Sequence, residues 1–259
     1  MFLSLCIILI NLTSALSYLA LPGTVGYYSF DGNANDGSGN NNHGTIVGGV
    51  SAAVDRFGNA GRAYAFDGAT GYIQLPGAQF SFASDFSCSF WLKLDQLVTT
   101  GNLFVLNKAQ SASGYSIYNY GSQFSLGYST SSTVSVAFSF TPTFTLGTWN
   151  HFVMMKSGSQ ISFYVNGVLI RQTTTTYPAI VTNTAVPLLI GAGNPSIVGG
   201  AKKSFFKGSL DDIYVFNRAL ALAEITSLAG VVSSPVTITS APTGKPSFRP
   251  TAPPTAVAV

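Results

Sequence analysis

Oxygen donors crowd into one short stretch of this chain. Phe30 to Gly44 reads FDGNANDGSGNNNHG, between an apolar aromatic run (Val25 to Phe30) and a glycine-spaced segment (Gly44 to Val50). Side-chain oxygens at Asp31, Asn33, Asn35 and Asp36 are spaced to surround a hard cation such as calcium, and the glycines give the backbone a tight path. The run is not an EF-hand. Its sixth position is Asp36 rather than Gly, no Glu closes the loop, and no helices flank it. His43 is expected to hydrogen-bond within the loop, because calcium prefers oxygen. Far down the chain, GSLDDIYVFNRAL (Gly208 to Leu220) carries a second acidic pair, Asp211 and Asp212.

Other chemistry is harder to assemble. Hydrolysis of a glycosidic bond needs two carboxyl groups flanking it. The chain has one Glu, Glu224, and its pattern places that residue in a terminal helix. No strand-like run carries acids two residues apart, and strict alternation sends Asp211 and Asp212 to opposite faces. His43 and His151 are the only imidazoles, and neither GxSxG nor CxxC occurs. His151 alternates with Val153 on a run beginning at Trp149, which predicts a satisfied core or rim histidine. The chain is therefore expected not to be an enzyme. A net charge of +3, with 8% charged residues, does not suit a nucleic-acid binder. Its one tight basic cluster, Lys202, Lys203 and Lys207, is predicted to be a solvated loop.

The elements that would position these groups are strands. Phe86 to Leu94 (FSCSFWLKL) alternates with Phe86, Cys88, Phe90 and Leu92 on one face. Gln160 to Arg171 is a hairpin around Asn166-Gly167, a pair that suits a two-residue turn because both positions take positive φ. Short runs at 63–66, 72–75, 103–106, 115–118, 124–128, 134–140, 149–156, 188–190 and 213–216 complete the strand set, and Ala219 to Leu228 reads as a helix. Frequent short strands with turn signals predict an all-β sandwich. Met1 to Ser17 reads as a secretory signal peptide, with Ala15 and Ser17 at the cleavage positions. Its removal takes away Cys6 and the only glycosylation triplet, at Asn11. Cys88 would then be the one remaining cysteine, a buried apolar residue with no disulfide partner. From residue 231 to 259, Pro, Ser and Thr dominate and Pro242, Pro246 and Pro250 recur, as in an extended tail or stalk.

Seven pieces in order resemble the laminin-G-like, concanavalin-A-like jelly-roll family. They are YYSFDGNANDGSGNNNHG, DRFGNAGRAYAFDGATGYIQLP, DFSCSFWLKL, WNHFVMMK, ISFYVNGVLI, LLIGAG and FKGSLDDIYVFNRALALAEI, spanning roughly residues 25–230. The resemblance implies a two-sheet antiparallel jelly-roll sandwich over 18–230 with one short C-terminal helix. The chain departs from the family at Ala221, where Ser or Thr usually caps that helix, and the helix start is expected to be frayed or else capped by another residue such as Asn217. It also lacks the cysteine pair of some relatives.

In that family the first and last strands lie side by side and antiparallel, which brings Asp31 beside Asp211 or Asp212. If Ile213 and Val215 face the core, Asp211 points inward and needs a partner. The resemblance implies a structural calcium site at Asp31 and Asp211, with Asn33 and Asp36 as further candidates. It also implies a secreted recognition or adhesion module whose partner is an extracellular glycan. Tyr115, Tyr118, Tyr120 and Tyr128 are the candidate sugar platforms. A protein-binding adhesion module and a self-pairing coat protein are the alternatives.

Overall fold

The structure is a computed structural model that describes residues 21–95, 97, 102–131, 133–194 and 201–230. The expected signal peptide and tail lie outside the described residues. In chain order the first strands are β1 (Thr24–Tyr28), β2 (Thr45–Val47), β3 (Val50–Val54), β4 (Ala60–Asp67) and β5 (Tyr72–Leu75). The middle of the chain forms β6 (Phe86–Lys93), β7 (Leu103–Asn107), β8 (Tyr115–Tyr120), β9 (Gln123–Ser129) and β10 (Ser135–Phe140). Then come β11 (Trp149–Ser157), β12 (Gln160–Val165), β13 (Val168–Thr174), β14 (Leu188–Ile190), β15 (Lys207–Phe216) and one helix, α1 (Leu222–Leu228).

These strands build two antiparallel sheets. The first runs β13-β12-β11-β6-β15-β4-β3, with β1 also paired to β15, and the second runs β10-β9-β8-β7-β14-β5-β2. This is the expected jelly-roll sandwich. The core lies between the sheets and is dense in aromatics, because alternating strands send every second side chain inward. Phe152 sits at its centre, 4.7 Å from the Phe124 ring and 5.7 Å from that of Phe90. Burying one such ring stabilises the fold by roughly 2–3 kcal/mol. Cys88 is free and buried in this core, as expected. The Asn166-Gly167 turn has φ of 49° and 80°, the left-handed pair that links β12 to β13 without splaying them.

A second apolar layer lies on the outer face of the first sheet. There Ile225 and Leu228, one helical turn apart, press α1 onto Val153, Met155, Tyr214 and Phe216. The helix is shorter than the predicted 219–228. Asn217 does not cap it. Instead Glu224 reaches back to accept the Ala221 N–H at 2.8 Å, and Arg218 grips both Glu224 oxygens at 2.8 and 2.6 Å. Glu224→Ala removes both contacts, and a loss of about 1 kcal/mol is expected in urea unfolding, a cap-sized effect.

The decisive feature is the path of β15. Its first half, Lys207 to Leu210, pairs with β4, and its second half, Ile213 to Phe216, pairs with β1. Asp211 and Asp212 fall between these two partners, where that edge has no neighbouring strand. On the other side, β15 pairs with β6 through a bulge between Asp211 and Tyr214. Asp212 takes φ +43° there. An extra residue in one strand resets the alternation. Leu210 and Ile213 therefore both face the core, and Asp211, paired with Trp91, faces outward.

Candidate functional site

The gap between β1 and β4 opens into a cleft of about 850 Å³ on the outer face of the first sheet. Tyr27, Trp91, Trp149 and Tyr214 supply its aromatic walls, and the end of α1 at Leu228 to Gly230 closes one side. An adjoining polar lobe of about 550 Å³ holds Asp31, Asp55, Asp211 and Asp212 together with Arg56 and Arg62. The early acidic loop and the late acidic pair thus meet, as the strand order requires. Tyr28 is opposite Ile213 in the β1–β15 ladder.

Arg56 occupies the middle of this lobe. It comes from the β3–β4 turn, DRFGN, which Asp55 staples by accepting the Phe57 and Asn59 N–H groups, both at 2.8 Å, and Asn59 Nδ2 at 2.9 Å. This Asx-type turn aims the guanidinium back across the sheet. The Arg56 guanidinium lies 4.3 Å from the Phe57 ring centroid and 4.7 Å from that of Trp91. It donates to Asp212 Oδ2 at 2.5 Å and to Asp211 Oδ2 at 3.2 Å. Tyr27 donates to the other Asp212 oxygen at 2.7 Å, and its ring stacks on Tyr214 at 4.1 Å.

One guanidinium here serves two carboxyl groups. Asp211 is buried, and burial together with the charge of Asp212 pushes its carboxyl up to about 8, against the lowering effect of Arg56 and the Asp212 N–H. Arg56 therefore neutralises Asp212, and Asp211 holds its proton near neutral pH. Below Trp91, the His151 ring packs at a tilt against the indole at 5.3 Å and hydrogen-bonds Ser89 through Nε2 at 2.7 Å. Its Nδ1 is buried without a partner. Burial, aided by Arg56, holds this imidazole down at about 3, so it is neutral. The expectation of a fully satisfied histidine is thus half met.

The sequence-based site residues fare unevenly. Asp211 does not point inward, and Asp211 and Asp212 do not face opposite ways; the bulge turns both toward the cleft. Of the four candidate calcium ligands, Asp31 and Asp211 line the same polar lobe, and Asn33 and Asp36 do not. Asp31 is exposed and paired with Arg62 at 3.1 Å. Asn33 folds its own loop, accepting the Asn35 N–H at 2.8 Å. Asp36 accepts N–H groups from Tyr27, Ser38 and Asn42, and those bonds outweigh its burial and hold its carboxyl below the usual range. His43 accepts the Asp36 N–H through Nδ1, as a loop-bonding histidine should. Among the described residues no three His, Cys, Asp or Glu side chains are grouped to hold a metal ion.

Two of the four tyrosine candidates are core residues. Tyr115 is buried against Phe86 at 4.4 Å. Tyr128 is buried and donates to the Tyr177 carbonyl at 2.9 Å. Tyr120 is half exposed, and Tyr118 sits with Phe104 beside a smaller groove on the outer face of the second sheet. The residues missed in the sequence were Arg56, Trp91 and Trp149. The turn signal Asp55-x-x-Gly58-Asn59 marked Arg56 and Phe57 as displayed at a tip.

A family model described as the concanavalin A-like lectin/glucanases superfamily (Laminin_G_3) matches residues 67–226, more than half of the chain. The chain belongs to this superfamily. No curated protein matches it by sequence. Among solved structures, domain 4 of AbnA, a GH43 extracellular arabinanase from Geobacillus stearothermophilus, solved with arabinotriose, is 22% identical. Its TM-score is 0.64, over 80% of this chain and 98% of that one. The binding domain of Paraclostridial Mosquitocidal Protein 1 is 16% identical with a TM-score of 0.65, over 80% of this chain and 52% of that one. The binding domain of Botulinum neurotoxin DC, solved with SialylT, is 14% identical with a TM-score of 0.63, over 81% and 51%. The chain thus spans about half the length of these toxin domains. At such identities the likeness shows the shared jelly-roll fold.

Proposed function

We propose that this superfamily member is a non-catalytic, extracellular carbohydrate-recognition module that takes its ligand in the cleft between β1 and β4. The observation that carries this reading is the juxtaposition in one cleft of the Trp149 and Tyr27 rings with the carboxylates of Asp212 and Asp31. Sugars present an apolar C–H face for stacking and a rim of hydroxyls for carboxylates. The arabinotriose and SialylT complexes of the similar structures support the same class of ligand. Catalysis is not expected. Asp211 is closed off from solvent, and the two carboxylates a ligand meets are each held by a guanidinium. Hydrolase assays on arabinan and β-glucans should be blank.

The test is a glycan array followed by calorimetry on the purified chain. Trp149→Ala is expected to weaken binding at least about tenfold, the cost of one lost aromatic platform. Tyr118→Ala, in the groove of the other sheet, should leave binding intact. An array with no binder, or binding lost only in Tyr118→Ala, would overturn the reading.

We infer further that Arg56 supplies the positive charge here in place of a calcium ion. The melting midpoint of metal-stripped protein is expected to stay within about 1 °C on adding calcium, whereas a specifically bound ion raises it in proportion to its concentration over Kd. A midpoint that climbs with calcium would restore the metal site.

A further inference from the structure

One wall of the cleft is the place where the chain continues into its tail. Leu228, Ala229 and Gly230 line that wall, and the described residues end at Gly230. The end of α1 sets the direction of departure. Gly230 takes φ +68°, and its N–H donates to the Ser227 carbonyl at 3.0 Å. Together these mark a helix stop in which the following residue folds back, commonly with an apolar contact onto the helix it leaves. The following residue is Val231, and the helix turns Ile225 and Leu228 to the sheet. A stop of this kind directs the chain toward the outer face of the first sheet, where the cleft lies, and away from the helix axis.

Composition agrees with that direction. Val231 to Ile238 reads VVSSPVTI, with four β-branched aliphatic side chains, whereas residues 239–256 contain no Val, Ile or Leu. A segment that is only solvated needs no such cluster. The cleft offers it Leu228 and the half-buried rings of Tyr27, Trp91 and Trp149. The segment is also uncharged, which suits a cleft where Arg56 and Arg62 already match Asp212 and Asp31. Eight extended residues reach about 26 Å, enough to cross a cleft of about 850 Å³.

We infer that Val231 to Ile238 lies in this cleft as a strap that competes with the carbohydrate. This rests on the carbohydrate reading above and adds a means of regulating it. The segment starts at the cleft wall with no linker, so its effective concentration there is on the order of millimolar. Aliphatic contacts too weak to hold a free peptide therefore still fill the site. A sugar must displace the strap, and whatever draws the tail away raises affinity.

The experiment is NMR of the full chain, reading nuclear Overhauser cross-peaks between methyl groups and indole protons. Cross-peaks from Val232, Val236 or Ile238 to Trp91 or Trp149 are expected, and they should vanish as the strongest binder from the glycan array is added. The triple variant Val232→Ser, Val236→Ser, Ile238→Ser should bind that glycan about tenfold more tightly by calorimetry, the effect of removing a competitor that fills the cleft about nine-tenths of the time. Phe248→Ser, farther along the tail, should bind as the parent chain does. Absent cross-peaks, with equal affinity in parent and triple variant, overturn the strap and leave the carbohydrate reading standing. Cross-peaks that persist at saturating glycan overturn the competition. No glycan bound by parent or triple variant overturns the carbohydrate reading and the competition together.

Discussion

Arg56→Met is expected to destabilise the folded chain more at pH 8.5 than at pH 5, by about 1 kcal/mol. Methionine keeps an unbranched stem to pack on the Trp91 and Phe57 rings and removes only the charge. At pH 5 Asp211 is protonated, so the variant loses one ion pair, that of Asp212, which is one-fifth exposed. Near pH 8.5 Asp211 ionises in part in the parent chain, helped by Arg56, whereas in the variant burial and the Asp212 charge, with no cation opposing them, keep it protonated. The extra loss at pH 8.5 is therefore the parent's partial ionisation alone, about 1 kcal/mol. Urea unfolding at the two pH values measures it. In an Asp211→Asn background, Arg56→Met should cost the same at both pH values, because no carboxyl is left at position 211 whose ionisation Arg56 could favour. If Arg56→Met costs the same at both pH values in the parent background as well, Arg56 is not coupled to Asp211.

Asp211→Asn alone should gain stability relative to the parent chain as pH rises. The sign follows from linkage. The folded-state value near 8 lies above the unfolded carboxylate range of about 4, so folding favours the protonated form. That contribution is fully present below pH 4 and is lost as pH rises through 8. The difference between variant and parent therefore grows across this window, by an amount on the order of 3–5 kcal/mol. It must be read as a difference, because His151 works oppositely. Its folded value of about 3 lies below the unfolded 6.5, so its contribution is present above pH 6.5 and lost as pH falls toward 3. The groups facing Asp211 are Arg56 and Asp55 from the β3–β4 turn and Asp212 beside it, and His151 lies beyond Trp91. A flat difference curve would mean that Asp211 is ionised throughout.

Much of the fold was legible before the structure. Alternation in FSCSFWLKL and the Asn-Gly pair in ISFYVNGVLI place strands by local chemistry alone, and both are where they were expected. The meeting of Asp31 with the Asp211–Asp212 pair followed from the resemblance, since it depends on which strands lie side by side. What was hidden is what makes the site. Period-two reasoning assumes one residue per step. A single extra residue at Asp212 breaks that assumption without any glycine to announce it. The division of β15 between two partner strands is likewise a long-range fact, and it is what leaves Asp211 and Asp212 open to the side. Arg56 reaches them from 155 residues away in sequence, held by a turn whose own signal was plain but whose direction was not.

The chain has two tryptophans, and both line the cleft. Their indole N–H resonances, followed by two-dimensional NMR while the strongest binder from the glycan array is titrated in, therefore report on this site and no other. Saturable shifts of the Trp91 and Trp149 signals, with Tyr118 and Phe104 amides unmoved, are the predicted result. Saturating binding that moves the Tyr118 and Phe104 amides and leaves both indoles still would place the ligand on the opposite sheet and contradict the assignment of the β1–β4 cleft.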